Sequence, residues 1–176
     1  MLKTKNKESG ITLIALVIII IVLLIFTGIT VYEGKDIIKE AKVQTLETNM
    51  LAIKAKAKGY AEEIEAETWK DEKADKNSLY ESNYHMKNVS VEEKFIEQLD
   101  SNIQRNNYDA YQITSETLGE MGLQELEEDI ANGEEYIVVY DSDDYNNMDI
   151  IYTGGITYLQ GTYYTLSALQ SVYSEQ

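Results

Sequence analysis

The stretch DSDDYNNMD, Asp141 to Asp149, gathers six carboxylate or amide side chains: Asp141, Asp143, Asp144, Asn146, Asn147 and Asp149. Carboxylate and amide oxygens are the donors that Ca2+ takes. The spacing departs from an EF-hand loop. Tyr145 occupies the third ligand position, no glycine follows it, and Tyr152 stands where a bidentate glutamate belongs. Asp141, Asp143, Asp144 and Asp149 are therefore candidate calcium ligands with no committed metal site, and a solvated hairpin loop accounts for the same residues.

Other chemistry finds little footing. His85, the only histidine, lies in a polar stretch with no serine or acid at motif spacing, which reads as an exposed histidine. Carboxylate pairs such as Glu62/Glu63 and Glu127/Glu128 are expected by number alone among 31 acids. The absence of cysteine removes disulfides, thiol catalysis and thiolate metal sites. An enzyme is not expected, and no cofactor is implied beyond the calcium candidates. The 14 tyrosines could form an adhesive surface, although most fall in expected strands, where cross-strand packing uses them. The net charge of -16 repels nucleic acid phosphates, so direct nucleic acid binding is not expected.

The elements that must position these residues begin with an apolar run. From Ile11 to Tyr32 there is no Asp, Glu, Lys, Arg, His, Asn or Gln. As a helix this run would span about 33 Å, the thickness of a bilayer's hydrocarbon core. A buried core helix would need a larger protein around it, and a cleaved secretory signal would have a shorter apolar stretch. A transmembrane helix over 11–32 is the expectation. Lys3, Lys5 and Lys7 before the run are matched by Lys35, Lys39 and Lys42 after it, so lysine counting leaves orientation open. The short N-terminal side favours a cytoplasmic N-terminus, with the folded domain extracytoplasmic.

Helical periodicity continues beyond the run. Val43, Leu46, Met50, Ile53, Ala57, Tyr60 and Ile64 form one stripe, predicting an amphipathic extension over 33–66. The same spacing suits a short coiled coil; docking on the chain's own sheet is preferred, because Ala57 and Tyr60 are poor seam residues. Residues 67 to 111 read as a loop region. Ser90 with Glu93 suggests a capping box opening a short helix to about Leu99. A second short helix is expected over SETLGEMGL, ending near Gly122. Strands are expected at 135–140, 149–153, 156–159 and 162–166, with Gly154 and Gly155 as the turn between the second and third. Such short connections make an antiparallel meander. The fold class is α+β: a long N-terminal helix, transmembrane then amphipathic, packed on a small C-terminal antiparallel sheet.

The leader Met1 to Gly10, with its lysines, its final glycine and the following ITLI, resembles the type IV prepilins and the pseudopilins of type II secretion systems. The resemblance covers residues 1 to about 32; the C-terminal stretch YIVVY to TYYTL also resembles pilin-like proteins of Gram-positive anaerobes. It implies cleavage by a prepilin peptidase after Gly10, methylation of the Ile11 amine, and assembly through a helix containing Thr12, Leu13, Ile14 and Ala15. Ala15 replaces the glutamate usual in that family, which implies a minor or tip subunit, or a branch that assembles without that carboxylate. Some pseudopilins bind calcium near their C-termini, which bears on the aspartate cluster.

The domains expected are a leader (1–10), a transmembrane segment (11–32), a helical extension (33–66) and a globular pilin-like domain (67–176). The function expected is a structural subunit of a pilus or of a related secretion or competence fibre. Its partners would be the peptidase, other pilin-like subunits and, before assembly, membrane lipid. The location would be the cell membrane, single-pass, and then an extracellular fibre. The alternative is an uncleaved single-pass membrane-anchored extracytoplasmic binding domain.

Overall fold

A computed structural model describes residues 8–71, 73–159 and 161–174, with side chains described from Ile38 to Val172 within those ranges. The chain divides into two compact units, Met1–Lys42 and Val43–Gln176. Helix α1 runs over Glu8–Lys70. In the second unit its buried positions are Val43, Leu46, Met50, Ile53, Ala57, Ala61 and Ile64, a spacing of three and four that turns one stripe inward. Tyr60 is half-buried at the margin of the stripe.

The expectation of a transmembrane helix does not stand. Among the described residues no helix is long and apolar enough to cross a membrane. From Ile38 onward, where side chains are described, Lys54, Lys56, Lys58, Glu62 and Glu63 stand among the apolar residues of α1. The side chains of the run Ile11 to Tyr32, with Gly10, lie outside the described residues.

Five antiparallel strands form one sheet in the order β1-β2-β3-β4-β5. They are β1 (Lys87–Asn88), β2 (Tyr108–Ile113), β3 (Tyr136–Asp141), β4 (Asp144–Tyr158) and β5 (Gly161–Thr165). Strand β3 is buried along its whole length, as a central strand covered on both faces must be. Alternation sends Tyr136, Val138 and Tyr140 to one side with Tyr111, Met148 and Ile150, where they join the α1 stripe in the main core. Ile137, Val139, Ala110 and Ile151 go to the other side and pack with Val91, Phe95, Ile96 and Ile103 in a second core.

Several sequence expectations are corrected. The region 67–111 is not one loop: besides the short helix expected there, α3 (Glu93–Ile96), it holds α2 (Lys76–Tyr84), β1 and most of β2. Asp75 caps α2, accepting from the Ser78 N–H at 3.3 Å. Helix α3 is one turn, with Glu92 rather than Ser90 at its N-cap and no side-chain cap bond. Its hold comes from burial of Phe95 and Ile96. The capping box belongs to α4 (Ser115–Met121), where Thr114 and Thr117 exchange side-chain-to-backbone bonds, and Gly122 closes the helix at φ 75°.

Gly154 and Gly155 make no turn; they lie inside β4, which is continuous from Asp144 to Tyr158. Gly155 sits at φ 61°, and a Cβ there would fall 2.5 Å from the Tyr164 ring. The β4–β5 register shifts between Ile151 and Ile156, so the glycines serve a bulge and a close approach. The chain continues through a 3₁₀ turn (Gln124–Leu126) and α5 (Glu127–Ala131), and ends in α6 (Leu166–Ser174), which follows β5 directly.

Candidate functional site

The aspartate stretch folds as a tight hairpin between β3 and β4, with Asp141 opposite Asp144. Its carboxylates point in different directions and take different partners. Asp141 accepts the N–H groups of Gln104 and Asp143, each at 2.9 Å. These bonds, from Gln104 first, hold its carboxyl below the usual range. Asp149 is fully buried and accepts the N–H groups of Ile150 (2.9 Å), Asp100 (3.1 Å) and Ser167 (3.2 Å). Burial pushes the Asp149 carboxyl up, and the hydrogen bonds from Ser167, Ile150 and Asp100 oppose that. Asp143 accepts from the Asn107 amide at 2.9 Å, and Asp144 from the Asn146 N–H at 3.0 Å. The four calcium candidates therefore do not converge on one point. Among the described residues no group of three acids or histidines could hold a metal ion. Asp141 and Asp149 together pin the segment 100–104 across the second core.

His85 is half-buried rather than exposed, and it has acids beside it. It closes α2 in the left-handed region at φ 54°. Its Nδ1 lies 3.5 Å from Glu116 and its Nε2 3.4 Å from Glu120, both on α4. The processing and assembly residues Gly10, Ile11, Thr12, Leu13, Ile14 and Ala15 fall in the backbone range of α1, with their side chains outside the described residues.

A different constellation stands at the end of α1. An open groove of about 530 Å³ is lined by Glu62, Glu65, Ala66, Thr68 and Trp69 of α1 and by Tyr145 of β4. Helical spacing puts Glu62, Glu65, Ala66 and Trp69 on one face. Trp69, the only tryptophan in the chain, is 86% exposed. Beside the groove the Lys76 Nζ bridges Glu65 at 2.6 Å and Asp109 at 3.2 Å, and lies 5.8 Å from the centre of the Tyr140 ring. Burial opposes the charge on Lys76, but its bonds to Glu65 and Asp109 prevail and raise its pKa. Lys76 is thus neutralised by two carboxylates, and Glu62 leaves the groove net negative. A stack continues inward, Tyr80 on Tyr111 with ring centres 3.9 Å apart. Burial drives the ionisation of Tyr80, Tyr111 and Tyr140 well above the ordinary phenol range, so these hydroxyls stay neutral. Sequence reading passed over Trp69 because its surroundings, ETWKDEKADK, look like a loop; a lone tryptophan among charges was the available signal.

No family model matches the chain, and neither a curated protein nor a solved structure does. The type IV pilin assignment accordingly does not stand, since no family match supports it and among the described residues no helix is long and apolar enough to cross a membrane. The same findings withdraw the fibre-subunit function, the single-pass membrane location and the alternative of a membrane-anchored binding domain.

Proposed function

We propose that this chain is a non-enzymatic interaction module whose contact site is the Trp69 groove, and that it takes a cationic segment, a run of lysine or arginine side chains. The observation that carries the reading is an 86%-exposed indole next to a carboxylate-lined groove on a chain of net charge -16. An ammonium or guanidinium over an indole face gains about 0.5–1 kcal/mol at an exposed site, and the acidic surface raises the local concentration of a basic partner. The Lys76 bridge favours the same assignment: it fixes Glu65 and leaves Glu62 free to pair with an incoming cation.

The test uses the full chain and an oligolysine peptide. With one tryptophan in the sequence, emission reads the site directly. The expected result is a saturable change in Trp69 emission that salt weakens, and an affinity reduced about 2- to 5-fold in Trp69→Ala by calorimetry. Binding of oligolysine with unchanged emission, or equal affinity of Trp69→Ala, overturns the reading.

A further inference from the structure

β5 is the outer strand of the sheet and, among the described residues, pairs with β4 alone. In an antiparallel ladder, residues two apart turn their backbone groups to the same side. On the side away from β4, the Thr162 carbonyl accepts from the Gln98 side-chain amide at 3.0 Å, and the Tyr164 N–H donates to the Gln98 Oε1 at 2.9 Å. A glutamine amide presents an N–H donor and a carbonyl acceptor in one plane, as a peptide group does, so this side chain stands in for one residue of a sixth strand. The Thr165 hydroxyl donates to the Gln98 carbonyl at 2.6 Å, and the Phe95 ring meets Tyr164 edge-on at 5.1 Å. The α3 segment is thus strapped along the edge.

The opposite edge needs no such cover, because β1 is two residues long. The β5 strand itself contains no charge and no proline, so its protection as an edge rests on the Gln98 segment that covers it. From Ile150 to Ser174 the sequence carries no charged residue, although 26% of the chain is charged. Two copies of a chain with net charge -16 repel one another over most of their surfaces, and this stretch is where they can meet without that penalty. We propose that the β5 edge is a self-pairing surface held shut by Gln98, and that its occupant when open is β5 of a second copy in antiparallel register. This stands independently of the Trp69 groove, which lies on other elements.

Amide hydrogen exchange of the full chain at low and high protein concentration tests it. In Gln98→Met, which keeps side-chain length and loses both amide bonds, the Tyr164 amide should exchange about fivefold faster at low concentration. Protection should return as concentration rises. Adding Thr162→Lys, a charge on the edge, should abolish that return. The amides of β3 report whether the fold is intact; should Gln98→Met disturb them, Gln98→Ala, which also removes both amide bonds and adds no charge, is read for the same return of protection. Unchanged Tyr164 exchange, faster exchange that does not respond to concentration, or a return that survives Thr162→Lys each overturns the proposal.

Discussion

On one face of the sheet, Tyr136, Val138 and Tyr140 meet a regular helix; on the other, Ile137, Val139 and Asp141 meet a segment whose only helix is the four-residue α3. Both faces exclude water, but they are held differently. The α1 face is closed by apolar area, with Met50, Ile53 and Ala61 fully buried, and needs few directed bonds. The opposite face is closed by pins: Asp149 to Asp100, Asp141 to Gln104, and Gln98 to β5. A chain without helical periodicity cannot satisfy its backbone internally, so its N–H groups need acceptors from elsewhere, and the two buried aspartates supply them.

The sharpest way to separate the two faces is to remove a large side chain from each. Ile53→Ala should cost about 4 kcal/mol, within the range for emptying a packed core site, and should lower the protection of all β3 amides together. Phe95→Ala should cost about 3 kcal/mol, the low end for a buried phenylalanine, because the α3 segment can relax. Its effect on hydrogen exchange should concentrate at Tyr164 and Ile103, with β3 less affected. Urea denaturation gives both magnitudes. Equal loss of β3 protection in the two variants would mean that the faces form one cooperative unit and that the contrast does not extend to energetics.

This contrast also explains what could be read from the sequence. The α1 stripe was legible from Val43 to Ile64 because a helix repeats its contacts every three or four residues, and Ala61 was missed because the adjacent Tyr60, which is half-buried, was placed on the stripe in its stead. β3 was legible from its β-branched and tyrosine run. The short helix α3 was legible too, though its N-cap is Glu92 and not Ser90; what holds its segment was not, since Asp141, Asp149 and Gln98 bond across the chain and no local pattern encodes a partner 37 to 66 residues away. The aspartates looked like metal ligands for the same reason: an acceptor of backbone N–H groups and a ligand of calcium have the same composition. Gly154 and Gly155 looked like a turn because a bulge with a close ring contact draws on the same residue type. Of the groove, only the lone tryptophan was visible; Tyr145 and Lys76 reach it through tertiary structure.

The two pins should respond to pH with opposite signs. Asp141 has its carboxyl lowered in the fold, so its contribution is present above the unfolded value near 3.8 and is lost as pH falls through the folded value. Asp149 has its carboxyl raised, so its contribution is fullest below that unfolded value and is lost as pH rises through the folded one. Asp149→Asn places an amide donor or a lost acceptor against three N–H groups and should cost about 1–3 kcal/mol. Its deficit relative to the unsubstituted chain should be largest near pH 4 and shrink toward pH 7. The deficit of Asp141→Asn should be largest at neutral pH and shrink in acid. Denaturation curves from about pH 2 to about pH 7 check both, the acid end reading Asp141 and the rest Asp149, and deficits that move in the same direction would sink the assignment.

The smallest effect belongs to the α1 face and to a group that departs from its rule. The Tyr140 hydroxyl is buried and makes no hydrogen bond of regular geometry to a described residue, although it lies within reach of the Tyr80 hydroxyl, which perturbs its ionisation. Burying a hydroxyl without a partner costs about 1–3 kcal/mol by mutational measures. Tyr140→Phe removes the unsatisfied atom and keeps the ring that stacks with Tyr111 at 6.1 Å and lies near the Lys76 ammonium. The change should be neutral or stabilising by up to about 1 kcal/mol, seen as an unchanged or higher denaturation midpoint. Tyr111→Phe, by contrast, breaks a bond from the Tyr111 hydroxyl to Asn77 at 2.9 Å and should destabilise by about 1 kcal/mol. If Tyr140→Phe destabilises as much as Tyr111→Phe, the hydroxyl has a partner after all, and the α1 face depends on directed polar bonds as the opposite face does.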